Sequence, residues 1–123
     1  MSSKPTPKDS LIDRLSRYRE VKISVIGRKS GRLISKPVWF VLDEKKIYLL
    51  PVYGSDTQWY KNVLKDPLIH ISAGGVQSEF KVVPVTEAEQ VSSVVEKFRA
   101  KYGAGDVKKY YSKLDVAVIA LMG

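Results

Sequence analysis

Six short apolar stretches, each cut off by a polar or glycine-bearing turn, constrain this chain more than any other feature. They span residues 21–26, 32–42, 46–52, 68–73, 76–84 and 116–121. The first reads Val-Lys-Ile-Ser-Val-Ile, and alternation of this kind puts successive side chains on opposite faces of a strand. The turn at Gly27–Arg32, the turn at residues 43–45 and the Gly74-Gly75 pair leave so little chain between runs that neighbouring strands must be antiparallel. Pro37 falls inside the second run. A proline cannot donate to a ladder, so the second strand is expected to lie at an edge or to break there, and a break would expose Ser35 and Lys36. Short antiparallel strands in this number suit a closed or split barrel. The expected class is mainly β (α+β), an antiparallel split β-barrel of about six strands with two to four helices.

Helical spacing appears between the strand runs. Asp9 or Ser10 can cap a helix over residues 11–19, with Leu11, Leu15 and Tyr18 on one face. That basic helix reads as a lid on its own domain in preference to a membrane-surface helix. Asp56 or Thr57 can cap a short helix over residues 58–65, which Pro67 stops. On it Trp59 and Val63 share one face, and Tyr60 and Leu64 another. Thr86-Glu87-Ala88-Glu89 has the form of a capping box. It opens a helix whose apolar face is Val91, Val94, Val95, Phe98 and Tyr102, ending before Gly103. Residues 103–105 read as a flexible link, and residues 108–111 as a short helical or irregular piece. Residues 1–8 are a Ser/Lys/Pro arm, and residues 9–123 are expected to form one barrel domain.

Residue counts exclude several chemistries. With 0 Cys and 1 His among 123 residues, disulfides, thiolate catalysis and a Cys/His metal site are ruled out. The lone His70 reads as a structural strand residue. Acids are scattered singly, so no paired-carboxylate site and no Ser-His-Asp set can be assembled. No run has the length of a membrane span, and the N-terminus lacks the apolar core of a signal peptide, so a cytoplasmic location is expected. The net charge of +8 is unevenly placed: ten of the 21 Lys and Arg precede residue 37, against three acids. A field concentrated in one segment draws an anionic partner, which can be nucleic acid, an anionic membrane surface or a polyanionic cofactor.

Two motifs narrow that choice. Gly27-Arg28-Lys29-Ser30-Gly31-Arg32 packs cations and a hydroxyl between glycines that bring backbone N–H groups close to a ligand. It is not a Walker loop, because a strand run and not a helix follows Gly31. Tyr53-Gly54-Ser55 leads into the Trp59-Tyr60 pair at a helix start, a setting for a flat anionic ligand. A basic hairpin turn on a solvated surface remains the alternative for the first motif.

Taken together, Gly-Arg-Lys-Ser-Gly, then Pro37-Val38, Tyr53-Gly54-Ser55, Trp59-Tyr60-Lys61-Asn62-Val63-Leu64 and Asp66-Pro67 resemble the deazaflavin-dependent nitroreductase family. That family is similar in fold to the flavin-binding split barrels of the pyridoxamine-phosphate oxidase group, and the resemblance runs over about residues 21–75. It implies an oxidoreductase that uses reduced deazaflavin coenzyme F-420 as hydride donor to a small quinone or nitro acceptor. It implies that Arg28, Lys29, Ser30 and Gly31 hold the cofactor phosphate, with Arg32 and Lys36 reaching its anionic tail and Ser35 beside them. Pro37 and Val38 would touch the ring. Val52, Tyr53, Gly54 and Ser55 would line its other edge with backbone N–H groups, and Trp59 and Asn62 would close the site. Tyr102, Tyr110 or Tyr111 would shape the acceptor pocket or donate a proton, and two copies would pair as a homodimer. Two alternatives stay open. One is the same barrel binding FMN, whose single phosphate leaves most of the basic segment unexplained. The other is a basic nucleic-acid-binding barrel, disfavoured because the cations gather at one turn and one arm.

Overall fold

The computed structural model describes Leu15, residues 17–43 and residues 46–121. The strands are β1 (Glu20–Ile26), β2 (Leu33–Asp43), β3 (Lys46–Leu49), β4 (Leu68–Ala73), β5 (Val76–Val85) and β6 (Ala117–Leu121). They close into an antiparallel barrel in the order β1-β2-β3-β6-β5-β4, with β4 returning to β1. Among the described residues three whole α-helices accompany it: α1 (Gln58–Lys65), α2 (Ala88–Tyr102) and α3 (Ala104–Tyr110). The expected arm and most of the expected 11–19 helix lie outside the described residues. Of that helix, Leu15 is helical and buried, and its carbonyl accepts from Tyr18 N.

Period-two alternation sorts the strand residues into two cores. Phe40, Ile47, Leu49, Ile69, Ile71, Phe80, Val82, Val118 and Ala120 point into the barrel, where Trp59, Tyr60 and Val63 of α1 join them. Their neighbours Val41, Tyr48 and Leu50 point out, under Val91, Val94, Val95, Phe98 and Tyr102 of α2 and Val107 of α3. Burying a side chain of the size of Phe or Leu contributes about 1.5–3 kcal/mol, so the barrel interior and the α2 seam both count heavily in the fold.

Several local expectations need correction. β2 does not break at Pro37: the strand is continuous, and Pro37 stands opposite Lys22 of β1. The edge reading holds instead. Among the described residues, 33–39 of β2 pair with β1 alone and only Phe40–Asp43 pair with β3, so the missing N–H is tolerated on the side of the strand that faces no described partner. β3 ends at Leu49 and not at residue 52, with Pro51 two residues on unable to donate. The capping box does not form. The helix starts one residue later than the motif predicts, with Glu87 at the N-cap and no side-chain cap bond. Thr57 is the N-cap of α1, but its Oγ1 accepts from Tyr53 N (2.8 Å) and closes the preceding turn instead of capping the helix. The link at residues 103–105 shrinks to Gly103, whose φ of 96° a side chain would resist, and α3 follows directly.

Candidate functional site

The glycine turn between β1 and β2 is built largely from its own backbone. Gly27 N donates to Arg32 O (2.8 Å), Gly31 N to Gly27 O (2.9 Å), and Arg32 N to Ser30 Oγ (3.2 Å). Helix α1 holds the turn in place. Asn62 Oδ1 accepts from Arg28 N (3.1 Å) and Arg28 Nη1 (2.9 Å), Gln58 Oε1 accepts from Arg28 Nη2 (2.9 Å), and Lys65 Nζ donates to Arg28 O (3.0 Å). Gln58, Asn62 and Lys65 stand four and then three residues apart, which puts them on one face of the helix. Arg28 is therefore committed to docking the turn. The N–H groups of Lys29 and Ser30 have no partner among the described residues, and neither do the side-chain cations of Lys29, Arg32 and Lys36. Two successive unclaimed N–H groups beside free cations form a concavity suited to an anion. The turn lines a cleft of about 470 Å³ whose far wall is Lys65 and Asp66.

A second concavity lies against the outward stretch of β2. It has a volume of about 320 Å³ and is lined by Pro37, Val38, Trp39, Leu50, Val52, Tyr110 and Tyr111, with Glu20 at its margin. Trp39 organises it. Tyr110 meets the indole edge-on (centroids 5.4 Å, 75°), and Tyr111 is tilted against it (6.1 Å, 57°). Tyr102 stacks on Trp39 (4.2 Å, 9°) but stands behind this wall and does not line the cavity. Its hydroxyl accepts from Phe40 N (3.1 Å) and shares its one proton between Phe40 O (2.8 Å) and Arg19 O. Burial pushes the Tyr102 hydroxyl above its ordinary pKa, so this proton is held and not offered. Tyr102 thus pins α2 to β2 at the residue where pairing passes from β1 to β3. The buried Tyr111 phenol is pushed up more strongly, again by burial, and stays neutral.

The Gly54 turn behaves differently from the first. Its N–H groups are consumed inside the molecule: Tyr53 N by Thr57 Oγ1 (2.8 Å), Gly54 N by Pro51 O (3.1 Å), Ser55 N by Asp115 Oδ1 (3.0 Å) and Asp56 N by Tyr53 O (3.1 Å). Ser55 Oγ also donates to Asp115 Oδ2 (2.6 Å). Burial raises the Asp115 carboxyl, but the Ser55 hydrogen bonds and the nearby Lys113 outweigh it and hold the group below the ordinary carboxylate range. A Cβ on Gly54 would lie 2.0 Å from Asp115 Oδ1, so this glycine is required by close approach as well as by its φ of 56°. Backbone N–H groups from Tyr53 to Ser55 are not free to line a ring edge as expected, because the chain itself takes them. Of this segment, Val52 lines the aromatic cavity, while Tyr53 is 61% exposed.

The remaining expected residues divide the same way. Trp59 is 3% exposed and belongs to the barrel core, and Asn62 is 4% exposed and spent on Arg28, so neither closes a cavity in this chain. Ser35 Oγ is hydrogen-bonded to Ser24 Oγ across β1 and β2 (2.7 Å). Lys29, Ser30, Gly31, Arg32 and Lys36 stay at the surface, and Pro37 and Val38 line the aromatic cavity. Sequence reasoning missed Glu20, Trp39 and Leu50 as cavity residues. The available signals were period two, which puts Trp39 on the face of Pro37, and hairpin register, which pairs Glu20 with Trp39.

A six-stranded closed antiparallel barrel, open along one stretch of β2 and carrying an anion-ready turn and an aromatic cavity, defines a split-barrel protein. Solved structures share this fold. An F420-H2-dependent reductase, FDR-A, is 18% identical, with 84% of this chain and 94% of that chain covered and a TM-score of 0.65. A chain solved as a domain-swapped dimer is 18% identical, covering 94% and 100%, with a TM-score of 0.66. HutZ, the heme storage protein of Vibrio cholerae, is 12% identical, covering 97% and 89%, with a TM-score of 0.68. At these identities the likeness is one of fold. No curated protein matches the sequence significantly. Residues 11–117 match the family described as "Uncharacterized protein conserved in bacteria (DUF2255)", and the chain belongs to that family. Among the described residues, no helix is long and apolar enough to cross a membrane.

Proposed function

We propose that this protein is an oxidoreductase that binds the reduced deazaflavin coenzyme F-420 and directs its hydride to a small quinone or nitro acceptor. One observation carries the reading. The turn that leaves Lys29 N, Ser30 N and the Lys29 ammonium unclaimed is joined to the aromatic cavity by a single exposed stretch of β2. From Arg32 to Pro37 that stretch spans about 17 Å at roughly 3.4 Å per residue. Phosphate and ring of one extended molecule therefore have separate, complementary surfaces on one strand.

Lys29, Ser30 and the Gly31 turn would hold the phosphate, and Arg32 and Lys36 the anionic tail. Pro37, Val38 and Trp39 would face the ring, with Tyr110 and Tyr111 toward the acceptor. The cofactor when bound supplies hydride transfer, and the chain supplies orientation and exclusion of water. Tyr111 keeps its proton, so it serves as a neutral hydrogen-bonding wall. A homodimer belongs to this reading, since split barrels that pair can complete each other's open face.

FMN is the second reading, favoured by the same turn and cavity but leaving Arg32 and Lys36 without a role. A heme reading is less favoured: the one histidine, His70, lies on β4 and lines neither the turn cleft nor the aromatic cavity. A nucleic-acid barrel would spread aromatics over a sheet face, whereas Trp39, Tyr102, Tyr110 and Tyr111 gather at one place. Titrating the purified protein with F-420, FMN and heme, followed by absorption and calorimetry, separates these readings. Micromolar or tighter binding of F-420 with reduction of menadione or a nitroarene is expected, whereas preferential binding of FMN or heme would overturn the proposal.

A further inference from the structure

The aromatic cavity is uncharged apart from one carboxylate. Glu20 and Trp39 are Cα partners across β1 and β2, so strand register and not a loop places Glu20 beside the indole. Among the described residues no Lys, Arg or His lines the cavity, and the Tyr111 phenol stays neutral. The faces of Trp and Tyr rings attract cations through their quadrupoles. The chain's own cations already use rings of this cluster: the Arg19 guanidinium lies 6.0 Å from the Trp39 centroid, and Lys109 Nζ lies 5.3 Å from that of Tyr110. Neither residue lines the cavity itself. The molecule carries a net charge of +8, yet this one concavity presents a carboxylate and aromatic faces to whatever enters.

We infer that the cavity selects flat acceptors that are neutral or positively charged and rejects anionic ones, with Glu20 as the specificity-determining residue. The inference rests on the proposed function, in which cofactor ring and acceptor meet in this cavity, and deepens it by naming the class of acceptor. It also separates the two ends of the site by charge: the anionic cofactor parts belong at the Lys29 turn, and the acceptor belongs where anions are unwelcome.

Three probes of one shape test this: (4-nitrobenzyl)trimethylammonium, 4-nitrobenzyl alcohol and (4-nitrophenyl)acetate. Nitroarenes quench indole emission. Trp59 is buried in the barrel, so quenching reports on Trp39 and should be lost in Trp39→Phe. At low salt the cation should bind about tenfold more tightly than the anion, with the alcohol between them. The preference should fall to about twofold or less in Glu20→Gln and reverse in Glu20→Lys, with circular dichroism showing each variant folded. Equal binding of the three probes, no quenching by any of them, or an unchanged preference in Glu20→Gln would overturn the inference. The probes need no cofactor. Failure to bind F-420 would therefore sink the proposed function while the quenching series still decided the role of Glu20.

Discussion

Two turns in this molecule carry a glycine with positive φ and a serine beside it, and they use their backbone in opposite ways. Among the described residues the Gly31 turn keeps two successive N–H groups and the Lys29 and Arg32 cations unclaimed, because α1 grips it through Arg28 and leaves the tip alone. The Gly54 turn spends every N–H from Tyr53 to Asp56 internally, and Asp115 supplies the acceptor for Ser55. Similar local sequence chemistry therefore leaves backbone donors open in one place and builds a structural clasp in the other. What separates them is a carboxylate sixty residues further along the chain, within reach of Ser55 and of nothing at Ser30.

The sharpest way to break this contrast is to add a methyl group to each glycine. Gly54→Ala places a Cβ 2.0 Å from Asp115 Oδ1 at a φ of 56°, and should cost about 2–5 kcal/mol from left-handed strain and overpacking together. Gly31→Ala meets open space and should cost only the strain, about 1–2 kcal/mol. Urea denaturation measures both, and equal losses would mean that the clasp adds nothing.

Ligand binding should sort the turns in the other direction. Removing Arg28 and Lys29 together should weaken F-420 binding far more than removing Lys108 and Lys109, since each charge-assisted contact to a phosphate contributes about 1.5–3 kcal/mol. The single variants sharpen this. Lys29→Ala should lose affinity at unchanged stability, whereas Arg28→Ala should lose stability as well, because its guanidinium bridges Gln58 and Asn62. Calorimetry and denaturation of the four variants would show whether affinity and stability separate as described.

A smaller effect concerns the tail. F-420 should bind more tightly than FMN at low salt, by up to about 1 kcal/mol for each exposed contact with Arg32 or Lys36, and this margin should shrink as salt rises. If FMN matches F-420 at low salt, the cations of β2 have no tail to serve.

The smallest effect is the pH dependence of the clasp. A carboxyl whose folded pKa is depressed stabilises the fold above its unfolded value of about 3.9, and the contribution is lost as pH falls through the folded pKa. Asp115→Asn should therefore be measurably less stable than the parent protein at pH 7, with the gap closing as acid takes both below that range. A gap that persists in acid would assign the Asp115 contribution to packing and not to charge.

The barrel was legible because period-two alternation and short turns leave few arrangements for six strands, and Pro37 pointed to an edge or a break in β2, of which only the edge is found. The candidate site was legible in part. Local turn and strand chemistry puts Lys29 and Ser30 at an exposed turn and Pro37 and Val38 on β2. What local sequence does not reveal is that Trp59, Asn62 and the Gly54 turn each have a distant partner. Trp59 has the barrel core, Asn62 has Arg28, and Ser55 has Asp115. Thr57 and Thr86 show the same lesson at helix starts, where a motif of the right form was either redirected to Tyr53 N or set aside by a one-residue shift of the N-cap.

The free stretch of β2 has a further consequence, for how this protein survives at high concentration. A run of unpaired strand with Leu33 and Ile34 exposed is adhesive, a template onto which another chain can add its own strand. Arg32 and Lys36 bracket that run with like charges that repel their counterparts in a second molecule. Pro37 interrupts the row of donors that a growing fibril would need. The cations proposed to meet an anionic ligand are thus also ones that would discourage strand addition. Substituting Pro37 or Lys36 with a β-branched residue should turn this exposed stretch into a point of aggregation.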